Sequence, residues 1–459
     1  MNWTASALAA ATGGRWYGPP SAASGVVCTD TRRIQVGDWF VALHARTDGH
    51  DHVGEAAARG AAGVIVHRRV GDGLPSLVVH DTTWALQDLG RAARRRIDGP
   101  VVAITGSSGK TTTRALMSLA LSQLGPVHQT SENLNNHLGV PLTLLSAPEE
   151  ARAAVVEAGT SAPGEIALLA DIIRPDVRVV VNVGAAHLEE LGGLDGVFRE
   201  KSCLYRGARP SDLIIVNADD PRTGTWHGPG RIVRWGRDAS ADVRLLDVEV
   251  IAERLAVRAR YAVAGRTHTV EIPSPSPFVA HNGGSAIATA LGLGLDVERA
   301  VADLAGFAPV GLRMRAERAP SGAIVLNDSY NANPDSMRGS LDTLAGLGGR
   351  RVAVIGDMLE LGATELALHI ETLEYARRLN LDRLIVVGAR MAAAAAALSD
   401  DVGATPVEVD PGGSWCVASL EPWLRREDRV LVKASRGTRL DLVAAALIGP
   451  GQTPTNGDH

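Results

Sequence analysis

The stretch Val101-Val102-Ala103-Ile104-Thr105-Gly106-Ser107-Ser108-Gly109-Lys110-Thr111-Thr112 constrains the fold more than any other part of the 459-residue chain. Its four uninterrupted apolar residues read as a strand buried on both faces, and such strands belong to parallel sheets covered by helices. The glycine-rich turn that follows lets backbone N–H groups approach a ligand. A helix starting near Lys110 would aim its own N-terminal N–H groups at the same point. A loop of this kind holds nucleotide phosphate, with the Lys110 ammonium on the outer phosphates and the Thr111 hydroxyl on magnesium. Gly106, Ser107, Ser108, Gly109, Lys110, Thr111 and Thr112 are therefore candidate nucleotide-binding residues. The spacing is short, because Gly106 precedes Gly109 by three residues where the general phosphate loop has five.

The rest of the chain repeats the theme. Ala154-Val155-Val156, Val179-Val180-Val181 and Leu213-Ile214-Ile215-Val216 are further strand-length apolar runs separated by helical patterns, so the central region reads as α/β. Residues 231–272 instead alternate apolar and polar side chains, as in Leu255-Ala256-Val257-Arg258-Ala259-Arg260-Tyr261, and predict an antiparallel β subdomain. Upstream, residues 1–98 mix short apolar runs with alanine-rich helical stretches, a small α/β module ending at Asp98-Gly99-Pro100. Past Gly311 the strand–helix rhythm resumes through residues 351–356, 384–388 and 430–433 and predicts a Rossmann-like domain. The expected boundaries are 1–98, 99–310 and 311–448, with the Gly-, Pro-, Thr- and Asn-rich residues 449–459 as a disordered tail.

Composition narrows the partners. No stretch approaches the roughly 18 to 20 apolar residues needed to span a bilayer, and Met1 to Ala11 lack the basic and apolar pattern of a secretory signal. The expectation is a cytoplasmic monomer. A net charge of −5 with no basic run beyond Arg94-Arg95-Arg96 argues against nucleic acid, so the expected partners are small molecules. Cys28, Cys203 and Cys416 have neither disulfide nor zinc spacing and read as reduced thiols. Of 46 basic residues only Lys110, Lys201 and Lys433 are lysine. Arginine replaces lysine readily on a solvated surface, but not where a compact ammonium meets phosphate or a neutral amine must react. The three lysines are candidates for chemistry.

The shortened loop resembles that of the Mur ligases and folylpolyglutamate synthetases, and other segments follow in Mur order along nearly the whole chain. Asn135-Asn136-His137-Leu138-Gly139 resembles the family's muramyl-peptide loop, which makes Asn135 and Asn136 substrate-binding residues by resemblance. Glu157-Ala158-Gly159, Gly164-Glu165-Ile166 and Ala185-Ala186-His187-Leu188-Glu189 come next, and Lys201 stands at the place of the family's carbamylated lysine. Asp328-Ser329-Tyr330-Asn331-Ala332-Asn333-Pro334, Gly356-Asp357-Met358-Leu359-Glu360-Leu361-Gly362 and Val432-Lys433-Ala434-Ser435-Arg436 complete the pattern. The last three resemble the branch that adds D-alanyl-D-alanine, and the Asp-Asn-Pro-Arg signature for diaminopimelate is absent.

The resemblance implies an N-terminal UDP-binding module, a central ATPase domain and a C-terminal Rossmann-like domain. It also implies a ligase that phosphorylates a carboxylate with ATP and lets an amine attack the acyl phosphate. Lys110, Glu157, His187 and Lys201 would be catalytic, with Thr111, Glu157, His187 and carbamylated Lys201 holding Mg²⁺. Asn282, Arg313 and Asp328 would face the nucleotide. Asp30, Thr31 and Arg32, with Asp48-Gly49-His50, match the uridine module, and Tyr330, Asn331, Asn333, Lys433 and Ser435 would serve the amine substrate. The expected product is UDP-N-acetylmuramoyl-tripeptide extended by the dipeptide. The alternatives are a ligase of the same chemistry for another acceptor or amine, and a silent nucleotide-binding paralogue. Three departures stand out: Cys203 replaces an acid expected two residues after Lys201, Ser285 replaces the second asparagine of a His-Asn-x-x-Asn phrase, and His44-Ala45-Arg46 stands where a glycine is expected soon after Val41-Ala42-Leu43.

Overall fold

The structure is a computed structural model that describes residues 1–20, 24–44, 47–70, 73–398 and 405–449. The expectation of a disordered tail falls, from residue 450 onward, outside the described residues. The described residues are α/β and contain three sheets. The chain forms two compact units: residues 1–104, 124–160 and 164–178 make the first, and residues 105–123, 161–163 and 179–459 the second.

The first unit opens with a five-stranded sheet of β1 (Arg15–Tyr17), β2 (Val27–Cys28), β3 (Trp39–Val41), β4 (Gly63–Val66) and β5 (Ser76–Val78). Their spatial order is β1-β5-β4-β3-β2, with only β1 antiparallel to its neighbour. Phe40, Ala42, Val53, Ala56, Val64 and Val66 form its core. The unit continues through β6 (Val101–Thr105), β7 (Val127–Gln129) and β8 (Ala153–Glu157), where β8 pairs in parallel with both β6 and β7. β9 (Val177–Val180) crosses into the second unit. The helix Thr82–Arg94 lies against the helices Gly139–Leu145 and Glu165–Ile173. A Cβ on Gly90 would come within 2.9 Å of the Pro141 Cα, so glycine permits the close approach.

In the second unit β10 (Leu213–Asn217), β11 (Arg231–Gly236), β12 (Val243–Ile251), β13 (Ala256–Val263) and β14 (Arg266–Ile272) lie side by side in chain order. The antiparallel part expected over 231–272 starts only at β12, because β11 pairs in parallel with both β10 and β12. Alternating polarity reports one solvated face and carries no information on strand direction.

The six-stranded sheet comprises β15 (Arg315–Arg318), β16 (Ile324–Asn327), β17 (Arg350–Gly356), β18 (Arg383–Val387), β19 (Val407–Asp410) and β20 (Asp428–Lys433). Its order is β15-β16-β20-β17-β18-β19, with only β15 antiparallel. Met337, Leu341, Leu373 and Met391 cover one face from their helices, and Cys416, Leu420, Val443 and Leu447 cover the other. A sheet wound on both sides places ligand-facing groups at the carboxyl ends of its strands where the strand order reverses. Here those ends carry Asp328, Asp357 and Lys433. Among the described residues no helix is long and apolar enough to cross a membrane.

Candidate functional site

The phosphate loop follows β6, and the helix Lys110–Ala120 begins where the sequence requires it. Gly109 caps that helix in the left-handed region at φ +77°, where a side chain would be strained and a Cβ would sit 3.1 Å from Asn282 Nδ2. Ser107 N–H donates to Asn182 O at 3.1 Å, and Ser108 N–H donates to Asn182 Oδ1 at 3.0 Å. Asn182 Nδ2 in turn donates to Ser108 Oγ at 3.0 Å. Ser107 Oγ donates to Gly184 O and accepts from Gly184 N–H, both at 2.9 Å. Lys110 Nζ donates to Gly106 O at 2.7 Å, which draws the ammonium back over the loop. Thr111 is buried in the first turn of the helix. Asn282 is buried on the helix Phe278–Leu293, and Ser285 Oγ donates to the Asn282 carbonyl at 2.6 Å.

Lys201 ends the helix Leu194–Lys201 with only 1% of its surface exposed. Burial, and then the Lys110 ammonium, push its amine well below the ordinary lysine range, against the opposite pull of Glu200. That bias favours the neutral amine over the ammonium, and the neutral amine is the form that reacts with CO2. His187 sits in the left-handed region at φ +55°, and its Nδ1 lies 2.6 Å from Glu360 Oε2. The imidazole beside it holds the Glu360 carboxyl below its usual range. The Leu188 N–H donates to the Glu360 carbonyl at 3.1 Å. Ligand atoms of His187, Glu190 and Glu360 lie within 4.8 Å of one another, an imidazole and two carboxylates able to converge on a divalent cation.

At the start of the helix Pro334–Gly346, Asn333 and Ser336 form a reciprocal capping box, which fixes Asp335 in the first turn. Asp335 Oδ2 accepts from the Ala185 N–H at 3.0 Å, and Asn333 Nδ2 stands 3.5 Å from Ser107 O. A Cβ on Gly184 would come within 2.1 Å of that Asp335 oxygen. The sequence reading missed Asn182, Gly184, Asp335 and Glu360. Glu360 and Asp335 lie inside or beside quoted motifs, whereas nothing local to Asn182 announces its partners.

Asp328 and its neighbours form a bonded cluster. The Asp328 carboxylate accepts from Met314 N–H at 3.0 Å, Ser340 Oγ at 2.7 Å and Lys433 Nζ at 2.6 Å. Lys433 also donates to Asn331 O at 3.0 Å. Ser435 Oγ donates to Ala332 O at 3.1 Å and accepts from Leu359 N–H at 3.0 Å. Asn331 Oδ1 accepts from the Ala332 N–H. Arg313 stacks over the Tyr330 ring at 3.7 Å.

The remaining candidates belong to the first unit. Glu157 ends β8, is 2% exposed, and its N–H donates to Thr130 Oγ1 at 2.9 Å. Asn136 Oδ1 accepts from the Leu138 and Gly139 N–H groups and so caps the next helix. Asn135 O accepts from the Gly159 N–H, and a Cβ on Gly159 would lie 2.8 Å from Asn135 Oδ1. Asp30 caps the turn Thr31–Arg33 and pairs with Arg32 at 2.9 Å, while Thr31 Oγ1 donates to Glu55 at 2.8 Å. Asp48 caps the turn Gly49–His52 and pairs with the buried His50 at 2.7 Å.

A glycine-rich loop between a buried strand and a helix, with a second buried lysine whose amine feels the loop lysine, defines a P-loop nucleotide-binding protein of α/β class. Residues 104–290 match the Mur ligase middle domain, and residues 313–436 match the Mur ligase glutamate ligase domain. The chain belongs to the Mur ligase family. It is 36% identical over 370 residues to the UDP-N-acetylmuramoyl-tripeptide--D-alanyl-D-alanine ligase of Escherichia coli K12, covering 79% of this chain and 81% of that one. Its fold superposes on the crystal structure of MurF from Acinetobacter baumannii with a TM-score of 0.88 at 32% identity, over 98% of this chain and 99% of that one. MurF from Thermotoga maritima, solved in complex with ADP, matches with a TM-score of 0.80 at 27% identity, over 91% and 96% of the two chains.

Proposed function

We propose that the chain is an ATP-dependent ligase that joins D-alanyl-D-alanine to UDP-N-acetylmuramoyl-tripeptide in peptidoglycan precursor synthesis. The observation that carries this reading is the phosphate loop with Lys110 over Gly106 and the buried Lys201, whose amine is pushed below the ordinary lysine range, in a chain 36% identical to a ligase of that name. In the first half-reaction the terminal carboxylate of the tripeptide attacks the γ-phosphorus of ATP and ADP leaves. In the second the dipeptide amine attacks the acyl carbon, phosphate leaves and the ammonium proton is lost. Both halves gather negative charge, so the loop N–H groups and the Lys110 ammonium contribute most where that charge develops.

Residues 1–98 would take the UDP-sugar, 99–310 the ATP and 311–448 the dipeptide. Magnesium would be held by the Thr111 hydroxyl, Glu157, His187 and a carbamate on Lys201, and would supply charge neutralisation at the phosphates. The donor chemistry fits, since a neutral amine at Lys201 can take up CO2 and become an oxygen donor where an ammonium would repel the metal. We place the enzyme in the cytoplasm as a monomer. The test is ATP-dependent phosphate release with UDP-N-acetylmuramoyl-tripeptide and each amine in turn. D-alanyl-D-alanine should stimulate release, while free D-alanine and diaminopimelate should not. Indifference to the UDP-sugar, or preference for a single amino acid, would contradict the reading.

A further inference from the structure

The cluster at the carboxyl ends of β16 and β20 spends most of its polar groups on itself. Lys433 is neutralised by Asp328 and also bonded to Asn331 O, so its ammonium is committed within the fold. Ser435 is bonded through its hydroxyl to Ala332 and Leu359, and its N–H donates to Asp357 O at 2.9 Å. Asn333 caps a helix. What these bonds achieve is to fix the backbone on either side of Tyr330 and at Arg436. Arg436 is exposed, and among the described residues its guanidinium has no hydrogen bond or ion pair. Its Cζ lies 5.6 Å from the Tyr330 ring centroid, over which Arg313 also stands, at 3.7 Å. Two cations therefore share one aromatic ring, next to Asp328, whose charge Lys433 already cancels.

A dipeptide that enters as the amine substrate carries a free carboxylate at its other end. Once that amine is acylated, the carboxylate is the one charge left on the incoming group, and it needs a cation not already engaged. We infer that Arg436 binds the C-terminal carboxylate of the incoming dipeptide, with Tyr330 holding the guanidinium in place. The guanidinium fork matches a carboxylate with two parallel N–H···O bonds, and a cation–π contact with the Tyr330 ring at 5.6 Å costs it none of those donors. Arg436 is thus a specificity residue that separates a free peptide acid from an uncharged amine. The inference rests on the dipeptide reading above.

The experiment compares D-alanyl-D-alanine with its C-terminal amide, D-alanyl-D-alaninamide, as amine substrates of the full-length wild type, Arg436→Ala and Arg436→Lys. Phosphate release is followed with ATP and UDP-N-acetylmuramoyl-tripeptide saturating. Wild type should prefer the acid by roughly ten- to a hundredfold in kcat/KM, the range expected of a charge-assisted pair. In Arg436→Ala that preference should fall to near unity, through a higher KM for the acid with the amide hardly affected. Arg436→Lys should recover part of it, and the KM for ATP should stay at its wild-type value in both variants. Wild-type enzyme that accepts neither dipeptide overturns the functional reading and this inference with it. Wild-type enzyme that makes no distinction between acid and amide, or an Arg436→Ala variant that keeps the distinction, overturns this inference alone.

Discussion

The phosphate loop is held from outside its own motif, whereas the cluster of residues 328–333 and 433–435 holds itself. Ser107 and Ser108 are fixed by Asn182 and Gly184, which lie more than seventy residues further along the chain. Lys433 bonds to Asp328 and to the Asn331 carbonyl, and Ser435 to the Ala332 carbonyl, with single further bonds from Met314, Ser340 and Leu359. In the first region the motif is the one proposed to carry the chemistry, and its support comes from elsewhere. In the second the motif is largely support, and Arg436 beside it is left exposed. A short motif can thus report either a reacting surface or the frame behind one, and only the partners of its side chains distinguish the two.

Substitutions can break this contrast. Lys110→Ala removes the charge that meets the transferring phosphoryl group while leaving the loop backbone intact, so turnover should fall by about a thousandfold or more. Lys201→Arg places a permanent positive charge there and cannot carry a carbamate, so it should lose at least about a hundredfold, as Lys201→Ala does. Phosphate-release rates on purified variants check both. Wild-type turnover in Lys201→Arg would return that residue to a packing role. Lys433→Ala should act on the fold instead, because it leaves the Asp328 carboxylate buried without its cation. A loss of about 3 kcal/mol in urea unfolding is expected. Unchanged stability with a raised KM for the dipeptide would make Lys433 a ligand and erase the contrast between the regions.

The smallest effect is also the most local. Gly184→Ala places a Cβ 2.1 Å from Asp335 Oδ2, and the carboxylate can rotate away only by giving up the Ala185 N–H. The cost should be about 1 kcal/mol, or roughly fivefold in kcat/KM for ATP. In an Asp335→Ala background the same substitution should cost almost nothing further. Additive losses would show that Gly184 matters for some reason other than its contact with Asp335.

Much of the architecture was legible in the sequence for a simple reason. Strands buried on both faces leave unbroken apolar runs, and Val101 to Ile104, Val352 to Ile355 and Val430 to Val432 could be read as such runs without help. The loop was legible because glycine at a left-handed position and lysine at a helix start are local requirements. Strand direction in β11 was not legible, since polarity does not encode it. Nor were the bonds from Asn182 to the loop or from Asp335 to Ala185, which join residues far apart in the chain. The motif residues Lys433 and Ser435 were visible as types, but their engagement with Asp328, Ala332 and Leu359 appears only in three dimensions.

The measurement closest to the central claim is the mass of the product formed from UDP-N-acetylmuramoyl-tripeptide, D-alanyl-D-alanine and ATP, read together with the nucleotide left behind. The account predicts a UDP-sugar pentapeptide, with one ADP and one phosphate released for each amide bond formed. ATP hydrolysis without any extended UDP-sugar peptide, or formation of AMP and pyrophosphate in place of ADP and phosphate, would contradict it.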